Sequence, residues 1–226
     1  MRTQSLRWSS VLLLFVGMTI PSAMAAITDI VISAETIRDF GEMSEQNIEI
    51  VEDKDASNGL ALHWTGGANN PPIAEPTAWF KIEFLADAAE YFIWIRAKHN
   101  GDTGTDAVWA QFDDQIGTLE HTADPAAPGR GLGNWADHLE ANVYDWGSQE
   151  VPPETVVSVK FKDAGVHVFL MQPRQIPHHI DQIWLSQDQD ERPESDPVDW
   201  DATKDPLSVD YRGKLTTTWG QLKSRQ

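Results

Sequence analysis

Trp79-Phe80-Lys81-Ile82-Glu83-Phe84 and, after the short turn Ala88-Ala89-Glu90, Tyr91-Phe92-Ile93-Trp94-Ile95-Arg96 decide the fold class. In the first run Phe80, Ile82 and Phe84 alternate with Trp79, Lys81 and Glu83. Successive side chains of a strand point to opposite faces, so this period of two buries the first set and turns the second outward. The second run is β-branched and aromatic, a composition that fits a pleated, half-buried surface.

Segments of the same kind lie on both sides. Toward the N-terminus they are residues 27–33, 48–51 and 60–64, the last ending in the turn signal Thr65-Gly66-Gly67. Toward the C-terminus, Asn100-Gly101-Asp102 turns the chain into residues 107–112. Residues 155–161 and 166–172 flank Lys162-Asp163-Ala164-Gly165, a hairpin signal, and residues 179–185 close the series. About nine short strands with no convincing helix between them indicate an all-β protein, an antiparallel β-sandwich of jelly-roll type with a short C-terminal extension. Residues 115–154 interrupt the pattern with Gly129, Gly131, Gly133, Trp135, Tyr144 and Trp146. A connection of that length is usually functional or disordered, and its aromatics argue against plain disorder.

The two ends read differently. Arg2 and Arg7, the apolar run 11–20, the breaker Pro21-Ser22 and the small residues of Ala23-Met24-Ala25 follow the order of a secretory signal peptide. The apolar run is about half of the roughly 20 residues a spanning helix needs. We therefore expect residues 1–25 to be removed, leaving an exported chain, periplasmic or extracellular, with no membrane insertion after cleavage. The sandwich is expected over 26–186. Residues 187–197 form a polar, acidic linker, and the tail to 226 places Leu215, Trp219 and Leu222 on one face at helical spacing, a possible docking element for a protein partner. A helix so short does not stand alone.

Arg2 and Arg7 leave with the leader, so 15 basic residues face 35 acidic ones and the mature chain carries a net charge of −20. Such a surface repels nucleic acid and anionic lipid. The chain has no cysteine, so an exported domain must rely on its core or on a bound ion rather than on disulfides. Enzymatic signatures are absent: the seven histidines show no zinc-site spacing and there is no Gly-x-Ser-x-Gly elbow. His178-His179 are adjacent, so their rings point to opposite faces of a strand and are poor joint ligands.

Four landmarks, in order, resemble the galactose-binding-like jelly-roll carbohydrate-binding modules, chiefly families 6 and 35. They are Ser33-Ala34-Glu35; the turn Asp55-Ala56-Ser57-Asn58-Gly59; the two strands quoted at the outset; and Asp163-Ala164-Gly165-Val166-His167 with Ile180-Asp181-Gln182-Ile183. The chain departs from the pattern at Asn58, where a first glycine is usual, and at His179, where an asparagine that contacts sugar is common. The resemblance implies a non-catalytic module that binds polysaccharide or glycan through loops at one end, with a structural calcium ion. It makes Glu35 and Asp181 the calcium ligands, with Asp53, Asp55 or Asn58 completing the shell from the nearby turn. Sugar rings stack their C–H faces on aromatics while their hydroxyls need planar polar partners. Trp135, Tyr144 and Trp146, set among Asn134, Asp137, His138, Asn142 and Asp145, are candidates for that platform, and His179 for a polar contact. Trp135 and Trp146 stand equally open to packing the long loop, whereas Trp79, Trp94, Trp109 and Trp184 are read as strand packing. An envelope or matrix interaction protein on the same fold, and a small lyase or esterase, are the alternatives.

Overall fold

The computed structural model describes residues 26–70, 72–101, 107–113, 116, 141–148, 156–176, 178–190 and 196–198. In chain order the elements are β1 (Asp29–Ser33), α1 (Ala34–Phe40), β2 (Glu42–Met43), β3 (Ile48–Glu52), β4 (Leu60–Trp64), β5 (Phe80–Ala86), β6 (Glu90–His99), β7 (Val108–Phe112), β8 (Asp145–Gly147), β9 (Ser158–Lys160), β10 (Gly165–Pro173) and β11 (His178–Ser186). The larger sheet runs β3-β4-β11-β6-β8, with β1 also on β11 and β9 also on β6; the smaller runs β2-β5-β10-β7. Every pairing is antiparallel. The all-β antiparallel sandwich expected from the alternation is the observed architecture.

The core is what the period of two demands. Phe80, Ile82 and Phe84 of β5 are buried, and they meet Phe112, Phe169 and Met171 of the same sheet and Leu62, Trp64, Tyr91, Ile93 and Ile95 of the other. The phenyl rings pack edge to face, Phe80 on Phe169 at 5.7 Å and Phe84 on Phe161 at 5.8 Å. This arrangement sets ring edges against ring faces, as aromatic quadrupoles favour.

Two expectations are corrected. A helix is present: Ser33 caps α1, its Oγ accepting from Thr36 N–H, with Glu35 in the first turn and Arg38 in the last. Seven residues are too few to show helical periodicity, so only the cap and the charges marked it. The hairpin expected at 162–165 is instead an arch between sheets, because β9 pairs with β6 while β10 pairs with β5 and β7. Phe161 supplies the reason. It turns into the core, stacked 3.9 Å from the His167 ring and packed against Phe84, Phe112 and Tyr91, and so carries the chain from one sheet to the other.

In β11 the register against β6 slips between Ile180 and Gln182. A bulge of this kind adds one residue and resets the alternation. Ile180 and Ile183, three apart, thereby both reach the core, and Asp181 is the added residue. Among the described residues no helix is long and apolar enough to cross a membrane.

Candidate functional site

At one end of the larger sheet, β4, β6 and β11 bring several polar side chains together. The register sets His179 opposite both His63 and Lys98, and His178 opposite His99. These five residues, with Asn100 and Asn142, line a pocket of about 110 Å³. Asn142 is placed by a left-handed backbone (φ 62°), which asparagine tolerates, and by its N–H donating to the His99 carbonyl at 2.8 Å. His63 and His179 meet edge to face, their ring centroids 4.5 Å apart. His178 faces the other way, toward Trp64, and burial pushes its imidazole down to about 3.

Asp53, just past β3, anchors the rim of this pocket. Its carboxylate accepts from the Lys98 ammonium, from Tyr144 Oη at 2.9 Å, from His179 Nδ1 at 3.2 Å and from Asp55 N–H at 3.1 Å. Burial alone would raise this carboxyl, but the four donors outweigh it and hold it well below the usual carboxylate range. The Tyr144 ring lies beneath Arg96 and Lys98, at 5.1 and 4.7 Å. Its hydroxyl is pushed far up by burial and by the carboxylate that it bonds.

Next to this network Asp181 is fully buried and paired with Arg96. Its other oxygen accepts from Ser57 N–H at 2.9 Å and Ser57 Oγ at 2.6 Å. The turn 53–59 is thus fastened over β11. Within it only Gly59 takes a positive φ (74°), so Asn58 in place of a glycine costs the backbone nothing.

The residues singled out from the sequence are distributed unevenly. His179 lines the pocket, and Asp181 lies two residues along the same strand. Tyr144 is 4 % exposed and covered by cations, so it offers no open face for stacking. Trp146 is fully buried on the outer face of the larger sheet, 6.2 Å from Trp184 and beside Val31 and Trp94, with its indole N–H donating to the Asp196 carbonyl. It is a packing residue, because the incoming segment 196–198 covers it. Val198 completes the cover through two bonds with the Gln182 amide, at 2.9 and 3.0 Å. Trp94, Trp109 and Trp184 are also buried. Trp135 and the tail residues Leu215, Trp219 and Leu222 lie outside the described residues, as do residues 1–25, where a leader is expected.

For the three expected calcium ligands the surroundings differ. Glu35 has both carboxylate oxygens buried with no hydrogen-bond partner among the described residues. A buried carboxylate without a donor is costly, and a hard cation is the chemistry that would satisfy it. Asp181 has both oxygens engaged by Arg96 and Ser57, and Asp55 is exposed and paired with Lys54. Among the described residues no three or more His, Asp or Glu side chains gather into a metal shell.

Of the pocket residues, His63, Lys98, His99 and Asn100 were not singled out from the sequence. Their only local signal is that His63 and Lys98 share the outward phase of their strands with His179. The partner strands that unite them are remote in the chain. A second cleft of about 250 Å³ lies between β7, β9 and β10, lined by Phe112, Asp113, Lys160, Phe161, Lys162 and His167. There both His167 nitrogens are engaged, Nδ1 with Asp113 Oδ2 at 2.7 Å and Nε2 with the Asp163 carbonyl at 3.0 Å. The ring therefore presents no free nitrogen to serve as a general base.

No protein-family model matches the chain. No curated protein matches it. Solved structures do. A family 35 carbohydrate-binding module from Clostridium thermocellum is 14 % identical, with 69 % of this chain and 97 % of that one covered at a TM-score of 0.43. The C-terminal family 6 module of a marine laminarinase from Zobellia galactanivorans is 14 % identical, covering 70 % and 98 % at 0.38. A carbohydrate esterase from the Shiga toxin-encoding bacteriophage phi24B is 14 % identical, covering 70 % and 97 % at 0.35. Modules of families 6 and 35, the two that the ordered motifs resemble, thus stand among the structures to which this chain is similar.

Proposed function

We propose that this protein is an exported, non-catalytic carbohydrate-binding β-sandwich that holds a unit of a polysaccharide or glycan in the pocket of His63, Lys98, Asn100, Asn142 and His179. The observation that carries the reading is the convergence of these planar amide and imidazole groups at the end of three strands, around the position where the resemblance puts a sugar contact. Hydroxyls need such donors and acceptors fixed in space, and His63, Lys98 and His179 sit on strands, which hold groups more rigidly than loops, while Asn100 and Asn142 join them from the adjoining turns. At about 110 Å³ the pocket is below the roughly 300–1,000 Å³ of drug-sized sites, so whatever it holds of a glycan is no more than a single unit. Export rests on the leader at residues 1–25.

Retardation on polysaccharide gels and a glycan array test the proposal. The intact chain should be retained on at least one glycan, and the double variant His179→Ala/Asn142→Ala should lose that retention while keeping its far-ultraviolet spectrum. No retention on any glycan by a folded protein rejects it and favours the interaction-module alternative. Release of reducing ends or of unsaturated uronates would instead mark a lyase.

Calcium enters the same proposal through Glu35, whose carboxylate is buried and without a partner among the described residues. A calcium ion there would balance the charge and tie the start of α1 into the fold. The melting temperature should be higher in calcium than in chelator, and Glu35→Gln should remove the difference. Equal melting temperatures for the unaltered chain would dismiss the ion.

A further inference from the structure

His63 and His179 are directly opposed across β4 and β11, which brings Cβ atoms to about 4.5–5.5 Å. Their rings converge within 4.5 Å, edge to face, on the pocket. Each Nδ1 faces a carboxylate oxygen, His63 that of Glu49 at 3.3 Å and His179 that of Asp53 at 3.2 Å. An ionised carboxylate can only accept, so each Nδ1 carries the proton, and in the neutral ring the lone pair sits on Nε2. Neither Nε2 has a hydrogen-bond partner among the described residues, and carboxylate, imidazole Nδ1–H and an open Nε2 form the outer and inner shells of a typical metal-binding histidine. Two such units side by side go beyond what a sugar hydroxyl requires.

We propose that the cross-strand pair His63–His179 binds a divalent transition-metal ion of borderline softness, with Zn²⁺ as the representative, through the two Nε2 atoms. Imidazole nitrogen selects zinc, copper or nickel over calcium and magnesium. The neighbouring imidazoles are otherwise occupied. His99 accepts the Gly101 N–H on Nδ1 at 3.0 Å and so carries its proton on Nε2, and His178 faces the core. Among the described residues no third His, Asp or Glu side chain joins the pair, so the remaining coordination positions open to the pocket and to water. The proposal is independent of sugar binding: a chain that binds Zn²⁺ but no glycan leaves it standing, and the converse removes it alone.

Calorimetric titration of chelator-stripped full chain with ZnCl₂ tests it, with cobalt(II) absorbance as the spectroscopic check. The expected result is saturable one-to-one binding that survives excess Mg²⁺. His63→Gln and His179→Gln should each weaken it at least about tenfold, and the double variant should abolish it. Glu49→Gln, at an exposed position, replaces the carboxylate facing His63 Nδ1 with a neutral amide and should weaken binding by about tenfold, within the range seen for outer-shell changes. Circular dichroism monitors folding, and if a histidine variant fails to fold, Glu49→Gln carries the test. An isotherm unchanged in Glu49→Gln and in every folded histidine variant, or no saturable Zn²⁺ binding by the intact chain, overturns the proposal.

Discussion

Arg96 of β6 and Asp181 of β11 form a buried ion pair, and Asp181 is the residue that the β11 bulge inserts. With Ser57 on its other oxygen, this carboxylate links two central strands and the turn 53–59. Burial still raises the Asp181 carboxyl above its ordinary value, with Ser57 and Arg96 opposing. The relationship therefore holds geometry more than it adds net stability, as is common for ion pairs removed from water.

Breaking the pair from one side should be severe. Arg96→Met leaves a buried carboxylate without its counter-ion and should destabilise the fold by about 3–5 kcal/mol in urea denaturation. Arg96→Met/Asp181→Asn should recover part of that loss, because no charge is then stranded. Equal stabilities for the single and double variants would show that the guanidinium matters only as packing.

The acid limb of the stability curve should carry the signature of His178. Its folded value, pushed down to about 3 by burial, lies below its ordinary 6.5. Between these values the unfolded chain takes up a proton that the folded one refuses, so stability falls as pH falls, by up to about 1.4 kcal/mol per unit from this group. Denaturation midpoints measured from pH 7 to 4 should show a shallower slope in His178→Gln than in the unaltered protein. Identical slopes would mean that His178 titrates normally.

Asp53 acts in a lower window. A depressed carboxyl contributes stability that is present above its ordinary 3.8 and lost as pH falls toward the folded value. Asp53→Asn should therefore lower stability at pH 7, and because it also removes the carboxylate that opposes burial at the His179 imidazole, stability should fall somewhat more steeply from pH 7 to 5. Its effect should shrink below about pH 4, where the native carboxylate begins to lose its advantage. Guanidinium denaturation at pH 7, 5 and 3 reads this out.

The segment 196–198 should behave as part of the folded unit. Ending the chain after Gln187 removes three hydrogen bonds, two to Gln182 and one from the Trp146 indole, and uncovers Trp146. A loss of about 3–4 kcal/mol is expected, at roughly 1 kcal/mol per bond plus the apolar contact of Val198. Tryptophan emission should shift to the red. Unchanged emission and stability would show that the cover is dispensable.

The strand at Phe80, Ile82 and Phe84 was legible because alternation is local: three residues in one phase reveal a buried face without knowledge of the partner. The bulge at Asp181 was not. Two core isoleucines three apart look irregular in sequence and become regular only against β6. Tyr144 and Trp146 show the same limit. Aromatic residues in a polar stretch fit a sugar platform or a covering layer equally well, and the difference lies in Arg96 and Lys98 over the Tyr144 ring and in the burial of Trp146 among Val31, Trp94 and Trp184.

By itself the sequence determined the all-β class, the extent of most strands, the acidic surface and the absence of disulfides, since composition and a period of two need no tertiary partner. Only the tertiary structure decided that β9 and β10 lie in different sheets, that Asp181 takes Arg96 as counter-ion, and that His63, Lys98 and His179 share one pocket. Strand pairing joins residues more than a hundred positions apart, as it does His63 with His179. The information that chooses such a partner lies in the packing of both sheets together, not in either segment.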